Sequence, residues 1–145
     1  MPGNTRNGIR KWCRLPAQEG AESQALELLE EVRCFFSLPS EALADFRLAV
    51  VEACLNALEH GAPPVEVEVK GKREGGVITV SVLVRDHGPG FHPENIPQPQ
   101  LPAKLHSDRK RGWGLAIMQR FADRLEINSR LGLTEVRLSL VMRVQ

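Results

Sequence analysis

The stretch Leu48–Leu58, LAVVEACLNAL, is apolar at every position except Glu52 and Asn56. A helix that is hydrophobic nearly all round is a buried helix. Burying a carboxylate and an amide in it is costly unless each finds a polar partner. The two residues sit at i and i+4, so they point the same way, and His60 extends the row by another turn. A carboxylate held there can act as a general base. An amide oxygen is a hard, neutral ligand of the kind Mg²⁺ accepts beside phosphate oxygens and water. The alternative is a structural pair satisfied by backbone groups or by an arginine.

Working outward, the helix is expected to open at Pro39-Ser40-Glu41, with Ser40 as N-cap, and to stop at Gly61 before Pro63-Pro64. Upstream, Ala25, Leu28, Leu29, Val32 and Phe36 recur at helical spacing over residues 18–36. Residues 9–15 suit an edge strand, and residues 1–8, with two glycines and a proline, suit a frayed, disordered terminus. Downstream, Val65, Val67 and Val69 alternate with charged residues, the pattern of a strand with one wet face. After the glycine-bearing turn of residues 72–76, residues 77–85 read as a more central strand. Residues 87–112 carry five prolines and no periodicity, as a functional lid does. Residues 114–123 look helical, and residues 125–129 and 136–142 look like closing strands. The order predicts one α+β domain over residues 9–145, a two-layer α/β sandwich with a mostly antiparallel sheet and helices on one face.

The bulk numbers agree with an ordinary globular chain. Of 145 residues, 42% are hydrophobic and 26% charged. A formal net charge of +1 gives no reason to expect direct attraction to nucleic acid or to an anionic membrane. No apolar run approaches the length of a membrane span, and MPGNTRNGIRKW lacks the apolar core of a signal peptide. The three cysteines (Cys13, Cys34 and Cys54) form no CxxC pair and read as reduced thiols. The expected location is the cytoplasm.

Two further stretches carry chemistry. Asp86-His87-Gly88-Pro89-Gly90 follows the strongest strand. A carboxylate there can accept a hydrogen bond from an exocyclic amine, and the glycines let the backbone turn close to a ligand. An ordinary β-turn uses the same residue types. Arg111-Gly112-Trp113-Gly114-Leu115 leads from the long loop into a helix. Glycines at a helix start leave its N–H groups open to an anion, with the helix dipole helping. A hinge is the alternative, and no Walker A pattern is present.

In order and spacing, the three stretches together resemble the GHKL (Bergerat-fold) superfamily of ATPases and kinases. The N box is Glu52–Gly61, and the glycine boxes are Asp86–Gly90 and Gly112–Gly114. The phrase AVVEACLNALEHG looks most like the anti-sigma-factor serine/threonine kinases of partner-switching systems. That resemblance implies ATP and Mg²⁺ as cofactors and a lid at about residues 91–111. It implies Glu52 as catalytic base, Asn56 as Mg²⁺ ligand, and Asp86 as reader of the adenine amine. Gly88 and Gly90 would approach the nucleotide; Gly112, Gly114 and Leu115, at the start of the helix, would hold phosphates. Thr134 falls where the family often has Gly-Thr, although here the glycine is displaced to Gly132. The implied partners are a STAS-domain anti-sigma factor antagonist, a sigma factor and a second copy of the chain. Among Lys104, Arg109, Lys110 and Arg111 of the lid, one is a candidate for the γ-phosphate.

A regulator that binds ATP and a partner without phosphotransfer is the second reading, since one nucleotide site serves either purpose. A histidine kinase fits less well, because the helix before Pro39 contains no histidine.

Overall fold

The computed structural model of the protein describes residues 3–88 and 111–144. The described elements run β1 (Gly3–Thr5), β2 (Gly8–Leu15), α1 (Glu22–Phe35), a 3₁₀ turn (Ser40–Leu43), α2 (Ala44–His60), β3 (Val65–Glu74) and β4 (Val77–Asp86). They continue as α3 (Arg111–Phe121), β5 (Arg124–Arg130) and β6 (Leu133–Arg143). Six strands form one sheet in the order β1-β2-β3-β4-β6-β5, and each pairing is antiparallel.

The alternation of the strand sequences decides which face the helices cover. Val65, Val67 and Val69 of β3 and Ile78, Val80, Val82 and Val84 of β4 are buried, as are Val136 and Leu138 of β6. Each lies on the face that receives α1 through Ala25, Leu29 and Val32, and α2 through Phe46, Ala49, Val50, Ala53 and Cys54. The opposite face is charged and solvated, with Arg10 paired to Glu68 at 2.7 Å and Arg85 to Glu135 at 2.8 Å. Exposed pairs of this kind contribute little, up to about 1 kcal/mol each. The fold therefore rests on one apolar layer between sheet and helices. Phe46 is the largest side chain in it with essentially no exposure. Phe46→Ala is expected to cost about 3–5 kcal/mol of unfolding free energy, read as a lowered urea midpoint.

Several local expectations change. Residues 1–8 were expected to fray, yet Gly3–Thr5 pair with Gly8–Arg10, so β1 rather than β2 is the outer strand. Ser40 is no N-cap: its hydroxyl lies 3.3 Å from its neighbour Glu41, and a 3₁₀ turn precedes α2. The β3–β4 pairing runs on through Lys72, Arg73 and Glu74, closing at Gly75, whose φ of +59° favours glycine. Gly90 and the proposed lid as far as residue 110 lie outside the described residues, and Arg111, the last residue given to the lid, opens α3.

The three thiols are free. Burial pushes the Cys54 thiol far above its ordinary range. The half-buried Cys13 is raised for the same reason, with the Glu27 carboxylate adding to it. Neither is poised as a nucleophile.

Candidate functional site

Helix α2 carries the first two candidates on its rim. Glu52 and Asn56 are both half-buried, on the side of the helix where α3 packs. The approach is close. A Cβ added at Gly114 would lie 3.2 Å from Glu52 Oε2 and 3.3 Å from Asn56 Nδ2. Any larger residue at this position would make the two polar groups give way by a few tenths of an ångström. The stretch that carries Gly112 and Gly114 thus meets the stretch that carries Glu52 and Asn56, although about sixty residues of chain separate them.

α3 also begins earlier than the glycines suggest, at Arg111 instead of residue 114. In any α-helix the first four N–H groups lack an intrahelical partner. Here those belong to Arg111–Gly114, of which Gly114 approaches Glu52 and Asn56. The Leu115 amide falls inside the helix, and its side chain, 7% exposed, packs in the core.

Beyond the C-terminal end of α2 stands Asp86, 6% exposed at the end of β4. Its Oδ1 accepts the Gly88 N–H at 2.8 Å, an Asx turn that fixes the carboxyl. That turn engages Oδ1 and does not use Oδ2. Gly61, read from sequence only as a helix stop, has a further duty. A Cβ there would overlap the Asp86 carboxyl, and one at Gly88 would come within 2.7 Å of the Gly61 Cα. The His87 N–H donates to the Ala62 carbonyl at 2.9 Å and ties the two segments together. The end of α2 and the turn after β4 are therefore docked backbone to backbone around one buried carboxylate.

Thr134 stands directly across from Asp86 in the β4–β6 register and is 2% exposed. Its hydroxyl lies 3.4 Å from that of Ser129, a residue the sequence did not single out. Displacement of the glycine to Gly132, where φ is +82° in the β5–β6 turn, leaves Thr134 in register beside the carboxylate. His87, 40% exposed, lies 4.0 Å from Glu66 on the solvated side of the sheet. No cluster of three or more His, Cys, Asp or Glu side chains with metal-binding geometry occurs among the described residues.

Glu52 and Asn56 thus stand on α2 where Gly114 of α3 approaches, and Asp86 of β4 stands against Gly61 just past the end of the same helix. The histidine kinase-like ATPase domain family matches residues 15–140. The chain belongs to that family. Membership in this ATPase family implies ATP as the nucleotide. Anti-sigma F factors of two bacteria, Thermoanaerobacter sp. strain X514 and Thermoanaerobacter pseudethanolicus, are each 35% identical to this family member over 95 residues. Those residues make up 63% of the chain and 64% of each relative, so the match spans just under two thirds of the relatives' length. A solved structure of RsbU and RsbW domains from Mycobacterium tuberculosis superposes with a TM-score of 0.64 at 20% identity. It covers 94% of this ATPase domain and 34% of that chain, and at such identity it bears on the fold alone. No described helix is long and apolar enough to cross a membrane.

Proposed function

We propose that the chain is a cytoplasmic, homodimeric protein kinase and anti-sigma factor. In this reading it transfers the γ-phosphoryl of Mg-ATP to a serine or threonine of a STAS-domain antagonist and, in the other arm of the switch, holds a sigma factor. The observation that supports the catalytic half is the approach of Gly114, in the first turn of α3, to the Glu52 carboxylate and the Asn56 amide. The likeness to the two anti-sigma F factors supports the regulatory half.

The residues fit the nucleotide. Gly88 packs on the Gly61 backbone and fixes the Asp86 carboxyl through Oδ1, and Gly114 brings the start of α3 up to Glu52 and Asn56. The donor set suits Mg²⁺, which takes one or two protein oxygens and completes its shell with phosphates and water. When bound, Mg-ATP supplies the phosphoryl group and neutralises its charge. Asn56 offers the metal its amide oxygen. The first turn of α3, Arg111–Gly114, would offer its N–H groups and the positive end of the helix dipole to phosphate oxygens. Asp86 would accept a hydrogen bond from the adenine amine, with Thr134 beside it, and the Asx turn to Gly88 keeps the carboxyl from swinging away. Glu52 takes the proton from the attacking hydroxyl. Because phosphoryl transfer needs chiefly positioning and charge stabilisation, a base plus rigid donors is sufficient equipment.

The test is direct. Purified protein is incubated with Mg-ATP and a STAS-domain protein from the same genome, and the partner is weighed intact. A gain of one phosphate, placed on serine or threonine by fragmentation, is the expected result. An unmodified partner that nevertheless binds in the presence of ATP would replace the kinase with an ATP-responsive binding module. Failure to bind ATP at all would overturn both.

A further inference from the structure

Asp86 packs against Gly61 at the C-terminal end of α2, and Asn56 and Glu52 follow in that order toward the N-terminus. A nucleotide held as proposed above runs along that line, its base beside Asp86 and its transferred phosphoryl beside Glu52. The next residue on the same side of the helix is Leu48, one turn beyond Glu52 and about 6 Å further along the axis. Its side chain is 50% exposed. The other large exposed apolar residues among those described lie elsewhere: Trp12 and Val141 on the solvated face of the sheet, Leu131 at the tip of the β5–β6 turn.

A single exposed leucine is ordinary. The position of this one is informative, because a general base works only within hydrogen-bond reach of the proton it removes. The hydroxyl that meets Glu52 cannot arrive from the Asn56 side, which the nucleotide fills in this mode. An approach over the turn of α2 that precedes Glu52 leaves the nucleotide undisturbed, and Leu48 is the exposed apolar residue on that turn. We propose that Leu48 is the docking residue for the acceptor segment and takes an apolar side chain flanking the acceptor serine or threonine. Burying a leucine against such a neighbour supplies affinity without directional demands. It leaves Glu52 to select the hydroxyl. The assignment deepens the kinase reading and rests on it.

The experiment uses the full chain, Mg-ATP and a STAS-domain protein from the same genome, with Leu48→Gln and Leu48→Met beside the wild type. Glutamine keeps helix propensity and adds no charge next to Glu52. Initial rates of partner phosphorylation are measured against partner concentration, and ATP affinity by calorimetry. Leu48→Gln is expected to raise KM for the partner about tenfold while ATP affinity stays within about twofold, and Leu48→Met to restore KM. An unchanged KM in Leu48→Gln overturns the docking role. So does a loss of ATP affinity that parallels the loss of rate, since Leu48 would then be packing for the nucleotide. A wild-type chain that leaves the partner unmodified defeats the kinase reading first, and the docking role falls with it.

Discussion

Glu52→Gln is expected to abolish partner phosphorylation while leaving ATP binding nearly intact. Glutamine matches glutamate in volume and keeps one carbonyl oxygen, so the packing of α3 through Gly114 has no reason to change. What disappears is the group that can take up a proton. Loss of a positioned general base costs about 10²–10⁴-fold in rate, or ~3–5 kcal/mol of barrier. The measurement pairs the initial rate of phosphate incorporation with a calorimetric titration of Mg-ATP. A rate loss at constant ATP affinity assigns Glu52 to the chemical step. A variant as fast as wild type would remove Glu52 from the mechanism, and a parallel collapse of ATP affinity would make it a structural member of the pocket.

Glu52 stood out as a candidate in the sequence for an energetic reason. Along Leu48–Leu58 every other side chain is apolar, so a carboxylate and an amide at i and i+4 contradict their surroundings. Contradictions of that kind persist where a group has a task. The β3–β4 hairpin and the closing strands were legible for an equally plain reason, because strict alternation of Val65, Val67 and Val69 with charged residues allows one buried face.

The features that escaped sequence reading are those in which the backbone, or a distant segment, decides. β1 is polar, and pairing between main chains leaves no trace in hydropathy. Gly61 looked like a helix terminator; its conformation is extended, at φ −89° and ψ −165°, so a left-handed cap does not explain the glycine. Contact with Asp86 does, and that contact joins residues 25 positions apart. Thr134 was weighed by its distance from a glycine, whereas strand register is what puts it opposite Asp86. α3 starts at Arg111 despite two glycines in its first turn, because the helix is fastened by Leu115 and Met118 in the core and by close packing on α2.

The same docking of α2 against the β4 turn makes the second large effect fall on Asp86. Asp86→Asn is expected to weaken ATP binding about 100-fold, and the argument is one of donors and acceptors. In the wild type, Oδ1 is engaged by the Gly88 N–H at 2.8 Å. The remaining oxygen is an acceptor, and the exocyclic amine of adenine is a donor. Asparagine satisfies Gly88 with its carbonyl oxygen and thereby turns its NH₂ toward the base. Two donors then face each other in a site that admits little water, and a lost charge-assisted hydrogen bond becomes an unpaired buried group. Folding should change little, since the Asx turn survives. A nucleotide that presents a carbonyl at the same position, inosine triphosphate, supplies the matching control: wild type is expected to prefer ATP strongly, and Asp86→Asn to narrow or reverse that preference. Calorimetry of the two proteins with the two nucleotides gives the answer as a ratio of ratios, from which any general loss of stability cancels. Equal ATP affinity in Asp86→Asn and wild type would take Asp86 out of base recognition. The buried carboxylate would then serve only to hold the end of α2 against the turn after β4.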